Sequence, residues 1–490
     1  MRSNVGILYR TGGSRKPSIF LISAVALLAA LAGVLGGQGW FNVQTIIVAV
    51  AGLVTLGLLT KGGNSHWVLL HMGVASLLFG RRGVYLGQTT FVVPLQVIVG
   101  LLWSVSVANA IVLHEKIYVK LPALLTVFSG WAVLRAGVAI ISGIHWDGVL
   151  AWTIPHVSGF FTFWVIGSIV KKETQLRAML GMFLRLSLLV SLLGSFEFFF
   201  PSVARGVLPW FFDSSRVVST TFPRARFGFW GSPSAVIIVV WGMLIAYNRL
   251  FSTKELPWFD VCVLLFGAVA VYISGLRAAW IGLLGGFTLL SWSLSKWAAV
   301  AWLGIGASLF TSNYLPDVFW NRLLTIPTAV LTKTAADTSI ASRFARWQWA
   351  WEAAREYPLE GIGYGHWQIH NSFLEVASKI GLIPALIFTV FFMQVLMRNL
   401  RTWRKGPTPE VRHYGLLFTA FGLTWIPQVA TSTVFYNSLY SIMHWTVMAL
   451  GWYLVDICRG EQAVQVAAQS SPALEGAKPR NSATDEHSLC

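Results

Sequence analysis

Charge is scarce in this chain. Asp, Glu, Lys and Arg together make up 11% of the 490 residues, where a soluble domain carries roughly 25%. That shortage excludes an ordinary water-soluble protein, so length alone does not divide the chain into soluble domains. Cysteine is almost missing: Cys262, Cys458 and Cys490 show neither metal spacing nor a disulfide framework. No Asp-x-Asp occurs, which argues against a metal-held nucleotide sugar. Neither a Gly-x-x-x-x-Gly-Lys phosphate loop nor a His-Glu-x-x-His zinc motif is present. No internal repeat is found, which weighs against transporters built from repeated halves. No soluble basic domain is left to hold nucleic acid, and nothing in the pattern calls for a cofactor or metal.

Apolar length is what the chain has in abundance. Hydrophobic residues make up 55%, in runs near 20 residues that suit membrane-crossing helices. The runs are continuous rather than alternating, which argues against a β-barrel. The expected fold is therefore all-α and polytopic, since helices satisfy their own backbone in lipid. Crossings are expected near 18–36, 42–60, 65–80, 91–113, 121–143, 150–170, 180–200, 231–249, 258–275, 277–294, 296–312, 372–397, 413–430 and 438–457, or 12–14 in all. They form one membrane domain over 1–458, followed by a disordered cytoplasmic tail over 459–490.

Acidic residues are the rarer sign, 19 against 36 basic ones, for a net charge of +17. Most Lys and Arg sort to one side under a 14-crossing count, with Arg81 and Arg82 as the chief exception, which puts both termini in the cytoplasm. The opposite side then receives 201–230, the turn at Ser274-Gly275-Leu276-Arg277, and the long loop 313–371. Arginine kept on that side calls for a reason other than orientation. Within the long loop, Ser342–Arg355 reads as a helix, with Phe344, Trp347 and Trp351 on one face and Arg343, Arg346 and Arg355 largely elsewhere; Pro358 follows its end.

The candidate chemistry lies on that side. Arg277 opens a helix, and Arg224 and Arg226 sit in a Gly- and Pro-rich loop before Ser232-Pro233. Guanidinium groups grip phosphate oxygens through paired hydrogen bonds and stay charged. Downstream, Gly361-Ile362-Gly363-Tyr364-Gly365-His366 leads to His370-Asn371 at the start of an apolar run. An imidazole titrating near neutrality can take a proton from a sugar hydroxyl. Tyr364 could orient a substrate, and Glu375, one helical turn past Asn371, could face the same cavity. Glu197, His145 and Asp147 read as structural.

At these residues the chain resembles the O-antigen ligase/O-antigen polymerase superfamily of bacterial membrane glycosyltransferases. The resemblance rests on Gly361-Ile362-Gly363 with His370-Asn371-Ser372-Phe373-Leu374-Glu375 and Gly381-Leu382-Ile383-Pro384, supported by Ser342-Arg343 with Trp347. Ser274-Gly275-Leu276-Arg277 is similar to the family's Ser-Arg-Gly helix start, with Leu276 where Ser is commoner. Arg226-Phe227-Gly228 with Ser232-Pro233-Ser234 is similar to its Arg…Gly…Asn-Pro-Asn loop, with Ser at both Asn positions; Arg224 and Arg226 both compete for the family arginine. The resemblance covers roughly 200–400. It implies a GT-C-type fold in the bacterial inner membrane with a site facing the periplasm. An undecaprenyl-pyrophosphate-linked glycan would be the donor, and a glycan or lipid A-core the acceptor. Arg277 and Arg226 would hold the pyrophosphate and His370 would be the base. Arg224, Tyr364, Asn371, Glu375 and Arg343 would bind substrate. The histidine-centred motif leans toward ligation. Polymerisation of lipid-linked repeat units is the alternative, and a transporter of lipid-linked glycans would use the same arginines without a base.

Overall fold

Fourteen helices and one small hairpin make up the described part of the computed structural model, which covers residues 84–86, 89–92, 94–112, 119–144, 146–207, 227, 232–251, 257–311, 338–363, 369–432 and 438–470, with Leu70 and Gly73. The hairpin pairs β1 (Val84–Leu86) with β2 (Thr89–Val92). Then follow α1 (Pro94–Val112), α2 (Ala123–Ile141), α3 (Trp146–Ile169), α4 (Glu173–Phe199), α5 (Pro201–Val207), α6 (Ser232–Leu250), α7 (Trp258–Ser274), α8 (Arg277–Leu294) and α9 (Lys296–Thr311). The chain continues with α10 (Thr338–Glu356), α11 (Ser372–Ile380), α12 (Leu382–Lys405), α13 (Pro409–Thr431) and α14 (Ser438–Ser470).

This is the all-α polytopic architecture that the apolar runs called for. Four described helices are long and apolar enough to cross a membrane: α2, α3 from Gly148, α4 and α12. Shorter apolar stretches are Ser234–Leu250 and Trp258–Ser274. The expected crossings at 18–36, 42–60 and 65–80 lie outside the described residues, apart from Leu70 and Gly73.

Three departures from expectation have local causes. The hairpin was not expected; Tyr85, Thr89, Thr90, Phe91 and Val92 are β-branched or aromatic and favour strand. The run expected as one crossing at 372–397 is instead two helices, because Gly381 adopts φ 109° and interrupts the ladder. The last helix continues to Ser470, twelve residues into the stretch expected as a disordered tail.

The core is aromatic. Phe128, Phe163, Phe183, Trp241, Phe388, Phe391, Phe418 and Trp445 are fully buried. Between helices in lipid, close packing rather than water exclusion holds such residues together. Small residues bring the backbones near: a Cβ on Gly282 would lie 2.6 Å from the Thr424 carbonyl oxygen, and one on Gly242 would lie 2.1 Å from the Ser187 side chain. Trp258, Trp292 and Trp297 instead stand outward near helix ends, as an interfacial aromatic belt does.

Side-chain bonds set the helix directions and so define two faces. The Ser187 hydroxyl of α4 donates to the Val239 carbonyl of α6 at 3.2 Å. Tyr247 of α6 and Ser291 of α8 share a hydrogen bond of 2.6 Å. Asn248, at the end of α6, bonds His413, at the start of α13, at 2.7 Å. The same end holds the Arg249–Asp260 ion pair at 3.3 Å and the Arg177–Glu173 pair with Tyr414. Arg398 lies over the Trp452 ring there. The opposite face therefore receives the start of α8, the end of α4, the end of α13 and the start of α11.

Candidate active site

Arg277 is set by a tight helix-to-helix turn. α7 ends at Ser274, Gly275 takes the left-handed conformation with φ 62°, and α8 starts at Arg277. The Ser274 hydroxyl donates to Val271 O at 2.6 Å and accepts the Leu276 amide at 3.2 Å. The Trp280 indole donates to Val271 O at 2.9 Å, closing the turn from the other side. Arg277 is half-buried at this corner.

His370 is reached from the same face by a short thread. α8 packs along α13 through Gly282 and Thr424, and α13 ends at Thr431, one turn and a half or more beyond that contact. Ser432 follows, and its carbonyl accepts the Ser372 hydroxyl at 2.9 Å. His370 stands two residues before Ser372. Arg277 and His370 are therefore both brought to the end of the α8–α13 pair that lies away from the Arg249–Asp260 side.

The backbone at His370 is unusual. Among the described residues, the non-glycine residues with positive φ are Phe227, at 58°, and His370, at 55°. Left-handed non-glycine residues cost of order 1–3 kcal/mol and cluster at functional sites. Both lie on this face. The Phe227 ring presses on Gly194 of α4, where a Cβ would come within 2.1 Å of it, and its amide donates to the Glu197 carboxylate. Glu197, read as structural from the sequence, thus holds the backbone at Phe227. Arg224, Arg226, Tyr364 and His366 lie outside the described residues.

After His370, Asn371 caps α11: its side-chain oxygen accepts the Leu374 amide at 3.0 Å. Glu375, expected to face the site, is fully buried and ion-paired with Lys379 at 2.6 Å. The glycine segment docks on the end of α11. Ile362 N donates to Ser378 O at 2.7 Å, and Gly363 N donates to Lys379 O at 3.1 Å. Gly361, with φ 63°, has no alternative: a Cβ there would stand 2.4 Å from the Lys379 carbonyl carbon.

α10 brings further arginine. Ala350, Ala353 and Ala354 are buried, while Trp351 is 48% exposed. At 100° per residue, Arg343 and Arg346 share the alanine face that docks the helix beside α11. Burial pushes the His370 imidazole down to about 4, with the positive charges of Arg343 and then Arg346 adding to the effect. Arg343 was a candidate; Arg346 and Lys379 were not. A stripe of Arg343, Arg346, Ala350 and Ala354 was the available signal for Arg346. For Lys379 it was Glu375 four residues earlier in an apolar run.

These features describe a polytopic all-α membrane protein with arginine and histidine gathered on one face. Residues 262–389, about a quarter of the chain, match the family model for O-antigen ligase. The matched stretch contains Arg277, Arg343, Tyr364, His370, Asn371 and Glu375, while Arg224 and Arg226 precede it. No curated protein matches the chain.

Proposed function

We propose that this protein transfers a glycan from an undecaprenyl-pyrophosphate donor to an acceptor hydroxyl as an O-antigen ligase, in the bacterial inner membrane. The termini would lie in the cytoplasm and the site would face the periplasm, with a GT-C-type arrangement of helices around it. The observation that carries the reading is the shared face of Arg277 and His370, with Arg343 and Arg346 acting on the same imidazole.

In this mechanism His370 takes the proton of the acceptor hydroxyl as its oxygen attacks the anomeric carbon. The bond from that carbon to the pyrophosphate oxygen breaks with inversion. Undecaprenyl pyrophosphate leaves with the electron pair, and Arg277 and Arg226 stabilise its growing charge. Arg343, Arg224 and Tyr364 hold donor and acceptor groups. Asn371 orients the segment carrying the imidazole, and Glu375 acts from behind that surface. No metal is required, because guanidinium groups neutralise the leaving group.

Arg277→Ala or His370→Ala should abolish transfer in reconstituted vesicles while the protein still inserts normally. Full activity in both variants refutes the assignment. Glycan analysis of a deletion strain identifies the acceptor: free full-length glycan supports ligation, and lost chain length means polymerisation instead. Flux of a lipid-linked glycan without bond cleavage would mean transport.

A further inference from the structure

The deepest charges near the site belong to Glu375 and Lys379. Their side chains are 0% and 2% exposed and joined at 2.6 Å. The Lys379 ammonium also stands 2.9 Å from the centre of the Trp152 ring on α3. His156, one turn further along α3, lies within its electrostatic reach. Neither buried group can touch a substrate held at the surface.

A buried ion pair is poor evidence for stability, because apolar residues of similar size often serve as well. What such a pair supplies is register. α11 has nine residues, too few for an isolated helix to hold its own position. Rotating it by one residue, or sliding it by one turn, would take the ammonium off Trp152. The same helix carries the docking points of the whole corner. Its Ser378 and Lys379 carbonyls receive the Ile362 and Gly363 amides, its Ile380 carbonyl receives the Trp131 indole at 3.2 Å, and its amino end continues into Asn371 and His370.

We infer that the Glu375–Lys379 pair, seated on Trp152, is a positioning device that fixes the rotation and depth of α11 and thereby where His370 stands. The role in transfer rests on the reading of His370 as the reacting base; the role in holding the corner does not. The pair makes no bond to the substrate and moves no proton. It converts a short helix that could settle at several angles into one with a single seat, and displacements near 1 Å at a reacting group cost about 100-fold in rate.

The test uses the full chain in nanodiscs and the variants Glu375→Gln, Lys379→Met and the two combined. The readouts are kcat and KM for an undecaprenyl-pyrophosphate-linked glycan and amide hydrogen exchange over 359–376. Each single variant should lose about 30-fold or more in kcat with donor KM within about threefold, since position rather than binding is lost. The Ile362 and Gly363 amides should exchange about tenfold faster or more, as expected for local loosening. The combined variant leaves no lone buried charge, so it should fold normally, yet with no ammonium on Trp152 it should stay as impaired in kcat as the worse single variant and exchange as fast. A combined variant with normal kcat and slow exchange shows that a stranded charge rather than a lost seat impaired the single variants and overturns the proposal, as do single variants with normal kcat and normal exchange; a donor KM raised well beyond threefold means direct substrate contact and also overturns it. If the single variants do not fold, Trp152→Leu against Trp152→Phe decides: Phe keeps a ring under the ammonium and should retain activity and protection, whereas Leu should lose both. If the unaltered chain transfers nothing, the ligase reading fails, and the exchange measurements still decide whether the pair holds the corner.

Discussion

Arg346→Gln, alone and with Arg343→Gln, should raise the pH at which His370 gains a proton. Burial is the largest cause of the lowered imidazole, followed by Arg343 and Arg346, and together they hold it near 4 rather than 6.5. A neighbouring unit charge contributes about 2 kcal/mol at an effective dielectric near 20. Solvent at this half-buried site roughly halves that, leaving about 0.7 of a pH unit for each arginine. The sign follows directly. Only the neutral imidazole accepts a proton, so kcat/KM should fall on acidification near pH 4 in the unaltered chain, and near pH 5 or above in the double variant. Pyrophosphate bound at Arg277 and Arg226 would bring negative charge to the same face, so the acid limb of kcat should already lie above that of kcat/KM. Stability follows the same linkage: the folded state resists protonation that the unfolded state accepts below about 6.5, so acidification from 6.5 toward 4 should weaken this corner, and the double variant should weaken less. The assay is transfer of a fluorescent glycan in vesicles from pH 3.5 to 8, with His370→Ala as the inactive blank. An acid limb that stays in place, or moves down, when both arginines are removed refutes the reasoning.

Two further outcomes follow from the geometry. Gly361→Ala forces a Cβ to 2.4 Å from the Lys379 backbone at φ 63°; it should cost about 2 kcal/mol or more of local stability, visible as faster exchange at 359–376 and lost transfer. Asn371→Ala removes the cap of α11 and should cost about 1 kcal/mol, lowering kcat while leaving the thermal midpoint of the whole bundle within a few degrees.

Helix positions were legible because apolar runs have length. The start at Arg277, the helix holding Arg343 and the run from Ser232 all fell where expected. The break inside 372–397 was visible as Gly381 but unreadable, since glycine is common within membrane helices; φ 109° arises from the approach of Leu359, where a Cβ would lie 2.4 Å from its carbonyl oxygen. The facing of α10 was read from its aromatic residues. Docking is set instead by its alanines, whose small size lets the backbone approach and turns Arg346 toward His370. Glu375 was expected at the site because periodicity carries no information about depth, and Lys379, its partner one turn away, settles the difference.

The interruption at Gly381 also bears on how this protein is made. The carbonyls of Ser378, Lys379 and Ile380 are satisfied by Ile362, Gly363 and Trp131 rather than by the next turn of helix, and hydrocarbon leaves such groups no substitute. α11, to which these carbonyls belong, therefore cannot seat at its final depth as an autonomous segment leaving the insertion machinery. It seats by docking on α2 and the glycine segment, both already made, so this corner joins parts of the chain 249 positions apart.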